Sequence, residues 1–205
     1  KENRRDRVLN EDEVKIFWER LDTARMEKAT ALSLKLQLIT AQRKGEVAGS
    51  EWKDFDFKKG WWTIPEEKAK NGLPHRVPLS SLAIEILNEL KEITGNSQWL
   101  LPSPRDGQHI AETSVDHAVR VNDKHFEIAH FTPHDLRRTA ASMMTASGVQ
   151  RFTVSKILNH AESGVTAVYD RHSYDKEKRN AMNKWDRILK KIVSGETGKV
   201  IEINS

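Results

Sequence analysis

Hydrophobic residues recur at intervals of three and four along most of this chain, which is the spacing of amphipathic helices. The first such stripe contains Val14, Phe17 and Leu21. It begins after Asn10, with Glu13 three residues later, as in a capping box. Comparable patterns predict helices over residues 80–95, 112–122, 132–147, 149–158 and 174–193. Most of the chain is therefore predicted to be helical.

The segment 28–39 carries two conflicting signals. Its leucines alternate with other residues from Leu32 to Leu38, and a period of two is typical of a strand. Its content of Leu, Lys, Gln and Ala instead favours a helix by intrinsic propensity. Periodicity alone would predict a strand here, and the residues themselves leave the choice open.

A short helix is predicted after this segment, with Thr40 as its N-terminal cap. Arg43 and Glu46 lie three residues apart, so they share one face of that helix and the carboxylate could orient the guanidinium. The alternative interpretation is a surface salt bridge worth less than about 1 kcal/mol.

Three short strands are predicted next, at residues 51–57, 61–65 and 75–79. They are separated by the turn 58–60 and by a stretch that contains Asn71-Gly72, both of which are turn signals. The strands predict a small antiparallel sheet, and Lys70 lies near the tip of its second hairpin. A lysine at such a tip is most often only a solvated residue.

The helix that begins at residue 133 carries a candidate anion site in its first turn. Thr132 is a suitable N-cap, Pro133 fits the first helical position, and Asp135 lies where negative charge is favoured. His134 and Arg137 share one face of this turn, where free N–H groups and the helix dipole attract anions. A guanidinium also matches the geometry of phosphate oxygens. The alternative is a solvated basic turn on a buried amphipathic helix.

Composition narrows the possible functions. The chain has 205 residues, is 37% hydrophobic and can therefore bury a sizeable core. Its net charge is only +4, yet the stretch 171–191 contains eight Lys or Arg residues against three Asp or Glu. Basic charge placed in this way suits an anionic polymer such as DNA, although a solvated helix face would have the same composition.

Several classes of site are excluded by what the sequence lacks. The absence of cysteine excludes disulfides, thiol catalysis and thiolate metal sites. No apolar run approaches the roughly 20 residues that span a bilayer, and there is no signal-peptide pattern. The first residue is Lys1 rather than Met, so we expect the sequence to be a fragment of a longer protein.

Several of these features, taken in order, resemble the tyrosine recombinases, and especially the prophage and genomic-island integrases. The matching features are Arg43 with Glu46, a lysine in the hairpin before His75-Arg76-Val77-Pro78-Leu79-Ser80, His134-Asp135-Leu136-Arg137, Leu158-Asn159-His160, and Tyr169 nine residues further on. The resemblance covers roughly residues 9–185. Two departures stand out: Asn159 replaces a usual glycine, and Ala41-Gln42 replaces a common Thr-Gly pair.

This resemblance implies a fold and a domain organisation. The fold would be mainly α-helical with a small three-stranded antiparallel sheet, and the segment 28–39 would be a helix. Residues 1–193 would form the catalytic domain, and residues 194–205 a linker followed by a tail strand. The N-terminal DNA-binding domains that integrases of this family usually carry would be absent from the fragment.

The resemblance also implies how a scissile phosphate would be held and attacked. Tyr169 would be the nucleophile, while Arg43 and Arg137 would hold the phosphate. The chain has two tyrosines, and Tyr174 opens a predicted helix, where a packing role is the simpler interpretation.

Proton transfer and orientation would fall to other residues. Lys70 would be the general acid for the leaving 5′-oxygen, with Lys68 as the rival candidate. His134 and His160 would bind the phosphate and assist proton transfer from the tyrosine, and Glu46 would orient the guanidinium of the first arginine.

Neither a metal ion nor another cofactor is expected in this chemistry. Two guanidiniums can stabilise the charge that develops at phosphorus, and a phosphotyrosine link would keep the bond energy without ATP. A metal site at His125, His130 and His134 is disfavoured because Pro133 interrupts regular helical spacing, and no His-Glu-x-x-His pattern occurs.

The implied partner is double-stranded DNA, with no membrane. The chain would be a monomer in solution and a homotetramer on DNA, in the bacterial cytoplasm and nucleoid. The rival functions are a DNA-binding module without chemistry and a topoisomerase-like strand passer. The tail strand at 200–203 could add to a neighbouring subunit's sheet or dock on its own domain.

Overall fold

The computed structural model describes residues 6–105, 107–160 and 173–196. Its helices are α1 (Glu11–Leu21), α2 (Lys28–Thr40), α3 (Lys44–Ala48), α4 (Ser81–Thr94), α5 (Glu112–Val121), α6 (Asp123–Phe126), α7 (Pro133–Ala146), α8 (Arg151–Ile157) and α9 (Asp175–Ser194). Its strands are β1 (Phe55–Asp56), β2 (Trp61–Ile64) and β3 (His75–Pro78). In the described part of the chain, no helix is both long and apolar enough to cross a membrane.

Helix α2 lies at the centre of the core. Every residue from Ala31 to Thr40 is buried, and the helix packs against α4 and α7. Successive residues of a helix are about 100° apart, so alternate leucines fall on two opposite faces. Because both faces are covered, the period of two does not indicate a strand. The prediction from periodicity alone is wrong here, and the helix implied by the family resemblance is confirmed.

The sheet is antiparallel with strand order β1-β2-β3. Trp62 of β2 pairs with Phe55 of β1 on one side and with Val77 of β3 on the other. The first strand is much shorter than the predicted 51–57, because Trp52–Asp54 forms a 3₁₀ turn. In that turn the Asp54 carboxylate accepts a hydrogen bond from the backbone N–H of Glu51 at 2.9 Å, which closes the chain locally before the sheet begins.

Thr40 ends a helix and does not cap the next one. Its hydroxyl donates to the carbonyl of Leu36 at 2.7 Å, inside α2. The chain then reverses at Ala41, whose φ of +57° is left-handed, and α3 begins with Arg43 at its N-cap. The prediction that Thr40 caps α3 is therefore wrong, because the hydroxyl satisfies a carbonyl at the end of α2 instead.

The local capping signals elsewhere place the helices as predicted. The Asn10 side chain caps α1 by accepting from the N–H of Glu13, and the Glu13 carboxylate accepts from the N–H of Asn10. Ser80 caps α4. Helix α9 packs across the domain, where the indole of Trp185 is fully buried and donates to the carbonyl of Leu38 at 3.2 Å. This helix includes Ser194, one residue beyond the predicted domain boundary, and the predicted tail strand at 200–203 lies outside the described residues.

Candidate active site

The first arginine of the site is fixed at the start of α3. Arg43 is the N-cap residue, and the carboxylate of Glu46 accepts from its backbone N–H at 3.0 Å and from its Nη1 at 2.7 Å. Glu46 is only 4% exposed, so its charge is withheld from solvent and directed at the guanidinium. One carboxylate thus both caps the helix and orients the arginine. The predicted pairing of these two residues is present.

The second arginine is buried one turn into α7. Arg137 is 3% exposed, and its Nη1 donates to the carbonyl of Ala41 at 2.8 Å. Its Nη2 donates to the carbonyl of Leu158. Burial and the nearby positive charge of Arg43 lower the pKa of Arg137 to about 10, which still leaves it charged at neutral pH. Two guanidiniums therefore converge on one region, and among the described residues Glu46 is the carboxylate that pairs with Arg43.

The end of α8 positions the second histidine. The carbonyl of Ile157 accepts from Gln42 Nε2 at 3.0 Å and from His75 Nε2 at 2.9 Å. The next carbonyl, that of Leu158, accepts from Arg137. Side chains from three other parts of the fold therefore donate to two consecutive carbonyl groups. The backbone just before His160 is therefore fixed by side chains that are distant in sequence.

His134 and His160 both face the guanidiniums. The pKa of His134 is lowered by desolvation and by Arg138 and Arg137, and the pKa of His160 is lowered by desolvation and by Arg137 and Arg43. Each imidazole is accordingly held towards its neutral form at pH 7. A neutral imidazole has one N–H donor and one acceptor nitrogen, so each ring can bind an anion's oxygen or take up a proton.

The candidate lysines have different environments. Lys68 is largely buried and makes two ion pairs of 2.8 Å, with Glu51 and Asp54, and its Nζ lies 5.6 Å from the ring centre of Trp99. Lys70 is exposed in the β2–β3 loop, and within the described residues no ion pair or hydrogen bond holds its ammonium group. Lys68 therefore has a structural role, and Lys70 is the lysine available to a ligand.

These groups surround a cleft of about 780 Å³. Its lining contains five of the predicted site residues together with several others: Asp6, Val8, Arg43, Lys70, His134, Arg137, Arg138, Ala141, Leu158 and His160. Glu46 stands behind Arg43. Six of the lining side chains are Arg, Lys or His against one Asp that was not predicted there, so the cleft suits an anion with several oxygen atoms.

A sequence model described as "Phage integrase family" matches residues 7–176. The chain belongs to the phage integrase family. The resemblance drawn from the motifs is thereby confirmed.

Relatives of this integrase-family chain include phage and prophage proteins. The integrase of enterobacteria phage P4 is 30% identical over 186 residues, which cover 82% of this chain and 42% of that protein. Prophage integrase IntA of Escherichia coli strain K12 is 26% identical over 189 residues, which cover 91% of this chain and 45% of that protein. The chain thus spans less than half the length of these relatives.

Solved structures bear out the predicted fold class. The crystal structure of a lambda integrase tetramer bound to a Holliday junction matches with a TM-score of 0.61 at 21% identity, over 82% of this chain and 48% of that one. Similarity at this level establishes the fold. The mainly helical domain with its three-stranded antiparallel sheet is the catalytic-domain fold of the tyrosine recombinases.

The predicted nucleophile of this integrase-family chain, Tyr169, lies outside the described residues. The other tyrosine, Tyr174, is the N-cap residue of α9 and packs edge-on against Phe152, with ring centres 5.1 Å apart. The ammonium group of Lys156 lies 4.7 Å from the centre of the Tyr174 ring. Tyr174 thus joins α8 to α9, in keeping with the predicted packing role.

Besides Asp6, the sequence analysis missed three polar residues that line the site or hold its backbone. Arg138 lines the cleft and pairs with the buried Asp135 at 2.9 Å, and its position beside Arg137 was an available signal. His75 is buried, and its position two residues before the apolar Val77, on the same face of β3, could have indicated this. Gln42 contacts α8 across 115 positions, for which the sequence offers no local signal.

Proposed function

We propose that this chain is the catalytic domain of a site-specific DNA recombinase, which cuts and rejoins strands through a 3′-phosphotyrosine link. The observation that carries the proposal is the convergence of Arg43, Arg137, His134, His160 and Lys70 on one cleft. Family membership supports the same conclusion. The substrate would be double-stranded DNA, as for the lambda integrase tetramer bound to a Holliday junction.

In the proposed reaction the phenolic oxygen of Tyr169 attacks the phosphorus of a DNA phosphodiester. A new phosphorus–oxygen bond forms to the tyrosine as the bond to the 5′-oxygen breaks. The phenolic proton passes to a cleft imidazole, and Lys70 donates a proton to the departing 5′-oxygen. Attack by the 5′-hydroxyl of another strand reverses these transfers, so no bond energy is lost and ATP is not required.

The geometry of the cleft supports specific roles in these steps. Arg43 and Arg137 face the non-bridging oxygens, where charge accumulates in the transition state, and fixed guanidiniums stabilise that charge without a metal ion. The neutral imidazoles of His134 and His160 can bind oxygens and accept the phenolic proton. An unperturbed phenol has a pKa of about 10, so this proton acceptor is needed at neutral pH.

The proposal extends to assembly and location. The chain would act as a homotetramer on DNA and be a monomer when free, in the cytoplasm of a bacterium and on its nucleoid. Each strand exchange cuts two strands, one in each duplex. Exchange of all four strands of two duplexes would therefore need four active sites. The tail strand predicted at 200–203 would add to a neighbouring subunit's sheet or dock on its own domain.

Relaxation of supercoiled plasmid in excess EDTA would test the chemistry, with denaturing capture of protein-linked DNA. Wild type should relax the plasmid and form an adduct, Tyr169→Phe should do neither, and Tyr174→Phe should do both. Loss of the adduct only in Tyr174→Phe would overturn the assignment of the nucleophile. DNA binding by the full-length protein without any adduct would replace the proposal with a binding function. Recombinant joints between two duplexes distinguish a recombinase from a topoisomerase.

A further inference from the structure

The loop that carries Lys70 is attached to the end of α8 by a pair of asparagines. Asn71 Nδ2 donates to the carbonyl of Asn159 at 3.0 Å, and Asn159 Nδ2 donates to Asn71 Oδ1 at 3.1 Å. Asn159 Nδ2 also lies 3.3 Å from the carbonyl of Leu73, and the N–H of Leu73 donates to Asn71 Oδ1 at 3.2 Å. The two amides thus form a reciprocal connection that also fixes the turn of the loop.

Asn159 occupies a backbone conformation that glycine adopts more readily. Its φ is +47°, in the left-handed region where a Cβ is disfavoured. Glycine would satisfy the backbone but would lack the amide that reaches the loop. The asparagine therefore combines a left-handed turn with a side-chain contact that glycine cannot make.

The connection lies between two groups of the cleft. Lys70 directly precedes Asn71, and His160 directly follows Asn159, and both Lys70 and His160 line the cleft. Within the described residues, no ion pair holds the ammonium group of Lys70. The backbone of the loop therefore determines which positions that group can reach. On the α8 side, the backbone is already fixed through Ile157 and Leu158.

We infer that Asn159 and Asn71 are positioning residues, which hold the Lys70 loop in register with the phosphate site so that the lysine can protonate the leaving oxygen. This inference rests on the proposed function. The pair acts through Lys70 and touches no reacting atom itself. Its loss should therefore impair proton donation while leaving the attack by the nucleophile intact.

The decisive variant is Asn159→Gly, which keeps the left-handed backbone and removes only the side-chain amide. It should be compared with wild type on two duplexes, one with an ordinary 5′-oxygen and one with a 5′-bridging sulfur at the scissile position. A thiol with a pKa of about 8.5 leaves as the thiolate and needs no general acid. Full loss of a general acid costs about 10²- to 10⁴-fold, so we expect its mispositioning to slow cleavage of the oxygen substrate about 10-fold. The sulfur substrate should be cleaved at the wild-type rate.

Lys70→Ala provides the reference pattern, with a larger loss on the oxygen substrate and none on the sulfur substrate. Asn71→Ala should reproduce the pattern of Asn159→Gly. Equal slowing of Asn159→Gly on both substrates would overturn the inference, because it would place the effect at His160 or the fold. Unchanged cleavage of the oxygen substrate would overturn it as well. If wild type forms no adduct on either duplex, the proposed function fails, and the inference fails with it.

Hydrogen exchange tests the connection without any reaction. In Asn159→Gly, backbone amides at residues 70–73 should exchange faster than in wild type, while those of β2 and β3 should not change. Identical exchange at residues 70–73 would show that the amides do not hold the loop and would overturn the inference independently of DNA cleavage.

Discussion

Arg137 donates a hydrogen bond through Nη1 to the carbonyl oxygen of Ala41 at 2.8 Å, across 96 positions of the chain. This bond joins the first turns of α7 to the reversal between α2 and α3. Since Arg43 follows that reversal by two residues, this contact ties the Arg137 guanidinium to the segment that carries Arg43. Fold stability and the proposed phosphate site are therefore coupled at Arg137.

Replacing Arg137 by lysine should damage both properties. A lysine has one compact ammonium in place of the two separate Nη groups that reach Ala41 and Leu158, and a buried acceptor that it leaves unpaired costs about 1–3 kcal/mol. Loss of a preorganised donor at the developing charge should slow adduct formation by about 10²- to 10³-fold. Urea denaturation and single-turnover cleavage measure the two effects. Arg120→Lys, on the exposed end of α5, should leave the free energy of unfolding unchanged within about 0.5 kcal/mol. Equal stability of wild type and Arg137→Lys would contradict the coupling.

Replacing each of the two loop lysines by alanine should affect a different property, stability for Lys68 and cleavage for Lys70. Lys68→Ala leaves Glu51 and Asp54 without their shared cation and should lower the free energy of unfolding by about 1–3 kcal/mol. Lys70→Ala should leave the melting temperature unchanged and reduce cleavage of an ordinary DNA strand by about 10²- to 10⁴-fold. Thermal denaturation and cleavage of the same two preparations check both statements. Full cleavage by Lys70→Ala would eliminate it as the general acid.

Glu46→Gln should disturb the orientation of Arg43 with little change of shape. In the present structure the Arg43 guanidinium donates to a Glu46 carboxylate oxygen at 2.7 Å, and in the variant an amide NH₂ would lie against it instead. A buried hydrogen bond to a charged group is worth about 1.5–3 kcal/mol. We expect a stability loss of that size and weaker binding of a DNA phosphate by Arg43. Chemical denaturation measures the first and DNA titration the second. Glu92→Gln, on the exposed side of α4, is the matched control and should behave as wild type.

Stability should fall in mild acid because of His75. Burial is the largest cause that lowers the pKa of this imidazole to about 3, with the charges of Lys178, Arg137 and Arg43 adding to it, whereas the unfolded chain has the ordinary value near 6.5. The unfolded state therefore binds a proton below pH 6.5 and the folded state does not, so the stabilisation is present above that pH and is lost as the pH falls from about 6.5 towards 3.

The measurement is the free energy of unfolding at about pH 7.5 and about pH 5, for wild type and for His75→Gln. The titration of one imidazole should make the wild-type loss larger than that of the variant by about 2 kcal/mol. Parallel loss in both proteins would remove His75 as the cause.

The elements that local chemistry dictates could be predicted from the sequence. The caps of α1 and α4 and the i,i+3 pairing of Arg43 with Glu46 depend on residues within one turn, and the structure contains them. The alternating leucines of α2 misled the periodicity analysis, because burial on two faces is a tertiary property. The 3₁₀ turn before β1 was missed for a similar reason, since Lys68 stabilises its two carboxylates from another loop.

The same distinction between local and long-range contacts applies to the site. The family motifs predicted which side chains belong to the cleft, and five of them line it. The groups that fix the geometry were not predicted, because Gln42, His75 and Asn71 reach α8 across 82 to 115 positions. A single sequence carries no period or spacing that reports contacts at such separations.

The end of α8 is held through main-chain oxygens, and this affects how the family can vary. Every amino acid offers the same carbonyl, so substitutions at the buried positions 157 and 158 that keep the helix and an apolar side chain of similar size leave the acceptors for His75, Gln42 and Arg137 in place. Such substitutions can therefore occur without moving His160. A substitution at His75, Gln42 or Arg137, in contrast, changes the side chain that donates the hydrogen bond.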